Sequence, residues 1–158
     1  MPQPLINTRG STLHQTYTVE LASTARLVLR EELLRGRTAE HPGHLTTRLT
    51  VRRAGRLLLD QHTAYGGPAP TWDGPAVLGH YRACGQLLIV RPDMTAPCEP
   101  VHLGDNPAAG LAVLAPPAGS SALRATAVAS PSAHLRDLLD TALAHAEETD
   151  SPAGASFA

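Results

Sequence analysis

One charged stretch, from Arg26 to Gly43, holds the residues best suited to chemistry. Within it, Glu31, Glu32 and Glu40 stand among arginines such as Arg37. Carboxylates mixed with guanidinium groups can form an ion-pair network, bind a partner protein, or line a path for divalent cations. Composition alone favours a solvated charge cluster and leaves these other interpretations open.

Eight histidines and two cysteines are potential metal ligands. No HxH, HExxH or CxxC pattern occurs among them. His41 and His44 lie close to Glu40 and form a plausible weak site for a borderline metal such as nickel, although solvated loop histidines are the simpler interpretation. For Cys84 and Cys98 the simpler interpretation is a buried small apolar residue and an exposed loop thiol.

The patterns that accompany nucleophilic and phosphate chemistry do not occur in this sequence. There is no GxSxG motif, and the chain has no lysine, which rules out a lysine-bearing P-loop. Asp60 and His62 lie two residues apart and Ser120-Ser121 follows later, but nothing joins them in a triad. These absences disfavour a phosphate-hydrolysing role. A small β-rich enzyme or ligand-binding domain stays open as an alternative, and it needs a convergent site around Asp60, His62 or Glu31.

The composition limits the partners that we expect. The chain of 158 residues has the length of one ordinary domain, and its thirteen basic and fourteen acidic residues give a net charge of −1. This balance, with few aromatic residues, argues against nucleic acid and anionic membranes as partners. The opening residues lack a signal-peptide pattern and no apolar run is long enough to span a bilayer, so we expect a cytoplasmic protein.

Alternating apolar residues predict the strands that must position the charged stretch. The segment Thr12–Leu21 alternates cleanly, which is typical of a half-buried antiparallel strand. After a short turn at Ala22–Thr24, the alternation resumes at Ala25, and we expect an extended segment up to Leu34.

Further strands and loops follow along the chain. Two alternating runs, Leu45–Val51 and Arg56–Gln61, are joined by a three-residue link that contains Gly55 and predict a hairpin. The other predicted elements are a loop at Gly66–Pro70, a single helical turn at Ala76–Gly79, a buried strand at Gly85–Arg91, a long connection from Asp93 to Ala109, and short strands at Leu111–Leu114 and Leu123–Val128.

One amphipathic helix is predicted near the C-terminus. A Ser130-Pro131-Ser132 sequence is typical of a helix start. The apolar face that follows comprises Leu135, Leu138, Leu139, Ala142, Leu143 and Ala146. The predicted fold class is therefore mainly β, with antiparallel, layered or β-helix-like sheets and one C-terminal helix. We expect a single domain over residues 1–148 and a flexible tail over residues 149–158.

Several of these segments, taken in order, resemble the urease accessory protein D family, also called H, and particularly its actinobacterial branch. The resemblance is carried first by Arg30–Glu32, Gly36-Arg37, Glu40 and Pro42-Gly43. It continues through Leu45–Leu49, Gly55–Gln61, Trp72-Asp73, Pro75–Gly79 with Arg82, and Gly85–Val90. Residues 3 to 147 are covered; no single motif is specific, but the collinear series is.

The resemblance implies a non-enzymatic chaperone for nickel insertion into urease. Members of the family bind accessory protein F, which recruits the nickel-carrying GTPase G, and the assembly docks on apo-urease. No tightly bound cofactor is implied, and nickel contact would be transient, along a water-filled channel with acidic residues.

The same resemblance suggests residue roles within the charged stretch. Candidates for the transient nickel path are Glu31, Glu40 and His41. Arg37 would orient a carboxylate or hold the turn. The candidate partner-binding and structural motif comprises Glu31, Glu32, Gly36, Arg37 and Glu40.

The sequence departs from the family pattern at its start. Family members have a substantial N-terminal part, rich in short strands, before the region where Met1 lies. We therefore expect an exposed sheet edge in this chain. A truncated, non-functional remnant is an alternative to a working scaffold.

Overall fold

The computed structural model describes residues 3–37, 39–67, 71–74, 78–93, 101–102, 109–114, 122–130 and 132–148. These residues contain nine strands and one helix. The strands are β1 (Leu5–Asn7), β2 (Thr12–Leu21), β3 (Leu27–Arg35), β4 (His44–Arg53), β5 (Arg56–Tyr65), β6 (Ala83–Val90), β7 (Val101–His102), β8 (Ala109–Leu114) and β9 (Ala122–Ala129). The helix, α1, spans Ser132–Glu148. The predicted class, mainly β with one C-terminal helix, is confirmed.

The strands form two sheets that differ in size. The larger sheet has the order β1-β3-β6-β9-β8-β7, and the smaller sheet has the order β2-β4-β5. Both sheets are mixed. In the smaller sheet β2 runs parallel to β4 through ten register pairs, from Thr12 opposite His44 to Leu21 opposite Arg53. In the larger sheet β1 runs parallel to β3.

The parallel pairing of β2 corrects the prediction of an antiparallel strand. Alternation reports which face of a strand is buried, but it contains no information about the direction of the neighbouring strand. The chain leaves β2 through a turn in which the Ala25 N–H donates to the Ala22 carbonyl at 3.1 Å, and it enters the other sheet as β3. Because β3 is not available as a hairpin partner, β2 pairs with β4, which returns to the smaller sheet.

The β4–β5 hairpin is confirmed, but its loop is shorter than predicted. Arg53 pairs with Arg56, so only Ala54 and Gly55 form the turn, with φ angles of 47° and 75°. Two consecutive positive φ angles characterise the type I′ turn, whose twist matches that of the flanking strands. A bulge between Val51 and Arg52 increases the local twist beside it.

The long connection predicted between β6 and β8 is partly wrong, because the two-residue strand β7 lies within it and β8 already begins at Ala109. At the predicted helical turn the described residues Leu78–His80 form a turn, and the preceding Ala76-Val77 lies outside the described residues. The predictions for Cys98, Ser120-Ser121 and the tail 149–158 also lie outside the described residues.

Helix α1 covers one face of the larger sheet. Its predicted apolar face is confirmed, since Leu135, Leu139 and Ala142 have no exposed surface. The helix approaches β6 closely at Gly85, where an added Cβ would lie 3.0 Å from a methyl group of Leu139 and 2.8 Å from the Glu31 carbonyl oxygen. At the predicted helix start, the Ser130 hydroxyl accepts a hydrogen bond from the Arg82 backbone N–H at 3.1 Å. In the described part of the chain, no helix combines the length and apolarity needed to cross a membrane.

The opposite face of the larger sheet packs against the smaller sheet through two separate apolar clusters. We call them the Leu88 cluster and the Leu45 cluster. The buried members of the first are Leu49, Val51, Leu58, Leu88, Val90 and Ala122. The buried members of the second are Leu33, Leu45, Leu78 and Cys84. Cys84 is 7% exposed, which confirms the prediction of a buried small residue.

Candidate functional site

A band of polar side chains separates the two apolar clusters between the sheets. One row of register partners crosses β3, β6 and β9, and a second row crosses β2, β4 and β5. Because side chains alternate between the faces of a strand, these residues share a face with neighbours in the two clusters. We call the six residues the polar layer: Glu31, Gln86 and Thr126 on the larger sheet, and Gln15, Thr47 and Thr63 on the smaller sheet.

Glu31 is the acidic member of the polar layer. Its carboxylate accepts a hydrogen bond from the Gln86 side chain, its register partner on β6. Both residues are half-buried, whereas Thr126 in the same row is exposed, so the layer reaches solvent at β9. A carboxylate in this position provides negative charge between two apolar clusters.

Charged and titratable groups flank Glu31 within the interior. Burial lowers the pKa of Arg124, while Tyr65 and Glu31 partly offset that effect. Burial raises the pKa of Tyr65 above its ordinary value, and a hydrogen bond with Cys84 adds to the increase. The same burial raises the pKa of the Cys84 thiol, against opposing effects of Tyr65 and Arg35.

Two polar atoms next to the layer are buried without a hydrogen-bond partner among the described residues. They are Gln61 Oε1 and Arg124 Nε. Gln61 uses its amide nitrogen to donate to Thr63 of the layer at 3.1 Å. Buried polar atoms in folded proteins are nearly always paired, with ordered water where no protein group is available. These two atoms therefore make the space beside the layer polar.

Glu32 lies on the other face of β3, under helix α1. Its carboxylate accepts hydrogen bonds from Arg30 at 2.7 Å and from Arg136 at 3.1 Å. The side chain is only 6% exposed. Arg30 also pairs with Asp140 on the helix, and although burial lowers the pKa of Arg30, these two carboxylates raise it overall. The network therefore ties β3 to α1.

The turn after β3 is held by Glu40 and Arg82. Gly36 has a φ of 66°, which favours glycine, and its N–H donates to the Asn7 carbonyl at 2.7 Å. The Glu40 carboxylate accepts from the backbone N–H groups of Arg9 at 3.2 Å and Arg37 at 3.1 Å. Arg37 thus takes part in the turn through its backbone N–H and carbonyl groups. One amino group of the Arg82 guanidinium donates hydrogen bonds to three backbone carbonyls, those of residues 35, 37 and 40.

A cleft of about 370 Å³ lies beside this turn. Arg35 lines it and stacks on Trp72, with the guanidinium carbon 4.6 Å from the ring centroid. Burial lowers the pKa of Arg35, and its Nε and Nη1 atoms are buried without partners among the described residues. The remaining lining residues are Ala39, Glu40, His41, Pro42, Trp72, Asp73, Gly79, His80 and Arg82.

The structure places the predicted site residues in three locations. Glu31 lies in the polar layer, Glu32 lies under the helix, and Glu40 holds the turn, where exposed His41 lines the cleft. His44 lies on β4, and one of its ring nitrogens contacts the Gly66 carbonyl. Among the described residues, no group of three or more His, Cys, Asp or Glu side chains is arranged to hold a metal ion.

The family model described as UreD urease accessory protein matches residues 1–155. The chain belongs to that family. It is 59% identical over 144 residues to urease accessory protein UreD 2 of Saccharopolyspora erythraea, which covers 90% of this chain and 50% of that protein.

Two further UreD proteins are similar over most of the chain. Urease accessory protein UreD 3 of Streptomyces griseus is 51% identical over 145 residues, covering 90% of this chain and 54% of that protein. Urease accessory protein UreD of Streptomyces avermitilis is 48% identical over 147 residues, covering 90% and 55%. The chain spans about half the length of these curated relatives. Their names describe accessory proteins of urease and not enzymes, in agreement with the prediction made from the sequence.

Some residues of this candidate site were not selected from the sequence. Gln86 and Arg124 interrupt otherwise apolar faces of β6 and β9, and that interruption was an available signal for an interior polar feature. Asn7 is 2% exposed and joins Gly43 and Ser11 through its side-chain amide, at 2.9 and 2.6 Å. A short three-residue strand offers no local pattern that could predict this role.

Proposed function

We propose that this chain acts in urease maturation as a non-enzymatic scaffold for nickel insertion into the urease active site. In this proposal it works in the cytoplasm, in a complex with accessory protein F and, through F, with the GTPase accessory protein G, docked on apo-urease. Membership of the UreD family supports the connection with urease.

The polar layer is the observation that carries the nickel part of the proposal. Glu31 offers a carboxylate between two apolar clusters, and the unpartnered polar atoms of Gln61 and Arg124 lie beside it. A hydrated passage with an acidic side chain lets a divalent cation remain partly hydrated and meet oxygen ligands, with no closed site to hold it. Glu31 therefore contacts nickel in transit in this proposal, without binding it tightly.

Partner contacts are assigned in this proposal to the turn after β3. The turn is fixed by the Glu40 carboxylate and Arg82, so its exposed side chains are presented rigidly. Arg37 is exposed there, and the cleft beside it offers Trp72 and His80 to an incoming chain. A rigid surface with an aromatic residue and arginines is the kind of surface that forms binding hot spots.

Co-purification tests the scaffold role. The tagged chain is expected to retain accessory protein F and apo-urease from a mixture of purified proteins, and Arg37→Glu is expected to weaken retention of F at least about tenfold. Arg56→Glu, at an exposed position on the β4–β5 hairpin, is the matched control and should retain F as the parent chain does. A folded chain that retains neither protein would overturn the scaffold role.

Nickel incorporation tests the polar layer separately. In reconstituted activation, Glu31→Gln should lower the nickel content and activity of urease while leaving co-purification unchanged, because it removes charge but retains size. The matched control is Glu20→Gln, an exposed carboxylate on β2 that forms a long, 3.8 Å ion pair with Arg52. Glu40→Ala should also lower activation, in this case through loss of the turn. Equal nickel contents for Glu31→Gln and the parent chain would remove the passage from the proposal.

A further inference from the structure

Two histidines meet on the outer face of the smaller sheet, away from the polar layer. His44 on β4 pairs in register with Thr12 on β2, and His14 pairs with Thr46, so the two imidazoles are diagonal neighbours across the strands. Their ring centroids are 6.1 Å apart, with the ring planes inclined by 69°. Side chains at diagonal positions on adjacent strands can reach a common ligand.

The hydrogen bond between His44 and the Gly66 carbonyl determines which ring nitrogen of His44 is free to bind a ligand. Its Nδ1 lies 3.1 Å from the Gly66 carbonyl oxygen, which can only accept, so Nδ1 must carry the proton. In the neutral imidazole Nε2 is then the lone-pair nitrogen, and it lies 3.5 Å from the Thr46 hydroxyl. A metal-binding histidine typically donates its second ring N–H to a carbonyl in this way, which fixes both tautomer and orientation.

The chain around Gly66 and Gly67 holds the His44 ring in place. Gly67 has a φ of 60°, and a Cβ added there would overlap with the ring at Nδ1. His44 is half-buried while His14 is exposed, so one imidazole is fixed and the other can adjust to a ligand. A preorganised ligand beside an adjustable one lowers the entropic cost of binding.

We propose that His14 and His44 form a two-imidazole site for a borderline divalent metal ion such as Ni²⁺ or Zn²⁺, with water completing the coordination. Imidazole nitrogen is a preferred ligand for these ions. The site lies on the opposite face of the smaller sheet from the polar layer, and it does not depend on the role of Glu31. His62 lies on the same face, but it pairs in register with Arg48, one same-face row beyond the pairing of His14 with Thr46.

Calorimetric titration of the untagged full chain with NiCl₂ tests the site. The parent chain should bind one Ni²⁺ at this site, and His14→Ala or His44→Ala should each weaken that binding at least about tenfold. The double variant should bind no more weakly than the weaker single variant, because either loss already removes the chelate. His62→Ala is the matched control and should bind as the parent does.

Two further measurements make every outcome informative. Circular dichroism should show that each histidine variant is folded. X-ray absorption at the nickel edge of the loaded parent chain should show scattering from imidazole ligands, and this signal should be lost in the double variant. Undiminished affinity in both single variants, or an equal loss in His62→Ala, would overturn the proposal.

Discussion

Glu31 and Glu32 are consecutive residues whose carboxylates lie on opposite faces of the larger sheet. Glu31 accepts a hydrogen bond from Gln86 between the two sheets, whereas Glu32 accepts from Arg30 and Arg136 beneath the helix. Strand geometry imposes this division, because successive side chains point to opposite sides. One carboxylate therefore faces the space between the two sheets, and the other serves the packing of α1.

Glu32→Ala should destabilise the fold. The substitution leaves Arg30 and Arg136 without their common carboxylate, and Glu32 itself is 6% exposed. The two arginines retain partial access to solvent, so the cost should be about 1–3 kcal/mol, less than for a fully buried pair. Urea denaturation measures it. Asp140→Ala is the control on the same network; its side chain is 55% exposed, and it should cost below about 1 kcal/mol.

Gln86→Leu should also destabilise, by about 1–3 kcal/mol, because it leaves the half-buried Glu31 carboxylate without its donor. The double variant Glu31→Leu/Gln86→Leu should recover most of that loss, since both polar groups are then replaced by apolar ones. Urea denaturation of the four proteins gives the coupling energy directly. Additive losses would contradict a pairwise interaction in the layer.

The same double variant separates folding from function. It should be folded, yet it should fail to support nickel incorporation into urease if the polar layer is the passage. Full incorporation by a folded double variant would show that nickel takes another route. This result cannot be confused with unfolding, because the variant's stability is measured first.

The positions of most strands could be predicted from the sequence, but their neighbours could not. The alternation in Thr12–Leu21 identified β2 to the residue, because burial of one face is a local property. Its parallel pairing with β4 depends on the chain crossing to the other sheet after Leu21, which no local pattern encodes. The same limit applies to His44. Its closeness to His41 in the sequence suggests a shared metal site, whereas in the structure its ring lies beside that of His14.

The charged stretch from Arg26 to Gly43 shows how far the candidate site could be predicted from the sequence. Sequence reasoning selected Glu31, Glu32 and Glu40 together because they are close along the chain. Their separation into a layer, an ion-pair network and a turn follows from strand alternation and from partners far along the chain, such as Gln86 and Arg136. Membership of the UreD family was accessible because a collinear series of weak matches is specific even where each match is not.

Gly36→Ala should destabilise more than Gly55→Ala. Both glycines have positive φ, of 66° and 75°, so either substitution strains the backbone by about 1–2 kcal/mol. At Gly55 a Cβ meets no atom within 4 Å, whereas at Gly36 it would lie 2.9 Å from the Glu40 carbonyl oxygen. The turn must therefore shift, which adds about 1 kcal/mol or more. Thermal unfolding of the two variants measures the difference, and equal melting temperatures would contradict it.

Stability should fall at alkaline pH because of Cys84 and Tyr65. Burial raises the pKa of both groups in the folded chain, so both stay protonated there while the unfolded chain releases their protons. The unfolded state then binds fewer protons, and the free energy of unfolding decreases as pH rises. The stabilising contribution is fully present below the unfolded-state pKa values, near about 8.5 for cysteine and about 10 for tyrosine, and is lost as pH rises toward the folded ones.

Urea denaturation between pH 7 and pH 11 measures this slope, about 1.4 kcal/mol per pH unit for each group between its unfolded-state and folded-state pKa. Cys84→Ala should remove the decrease in stability that begins near about pH 8.5, because this variant lacks the thiol. Tyr65→Phe should remove the decrease that begins near about pH 10, because it lacks the phenol. Tyr17→Phe, at a side chain that is 39% exposed, is the control and should keep the slope of the parent chain. A parent stability that stays constant up to pH 11 would mean that neither group is held protonated by its burial between the sheets.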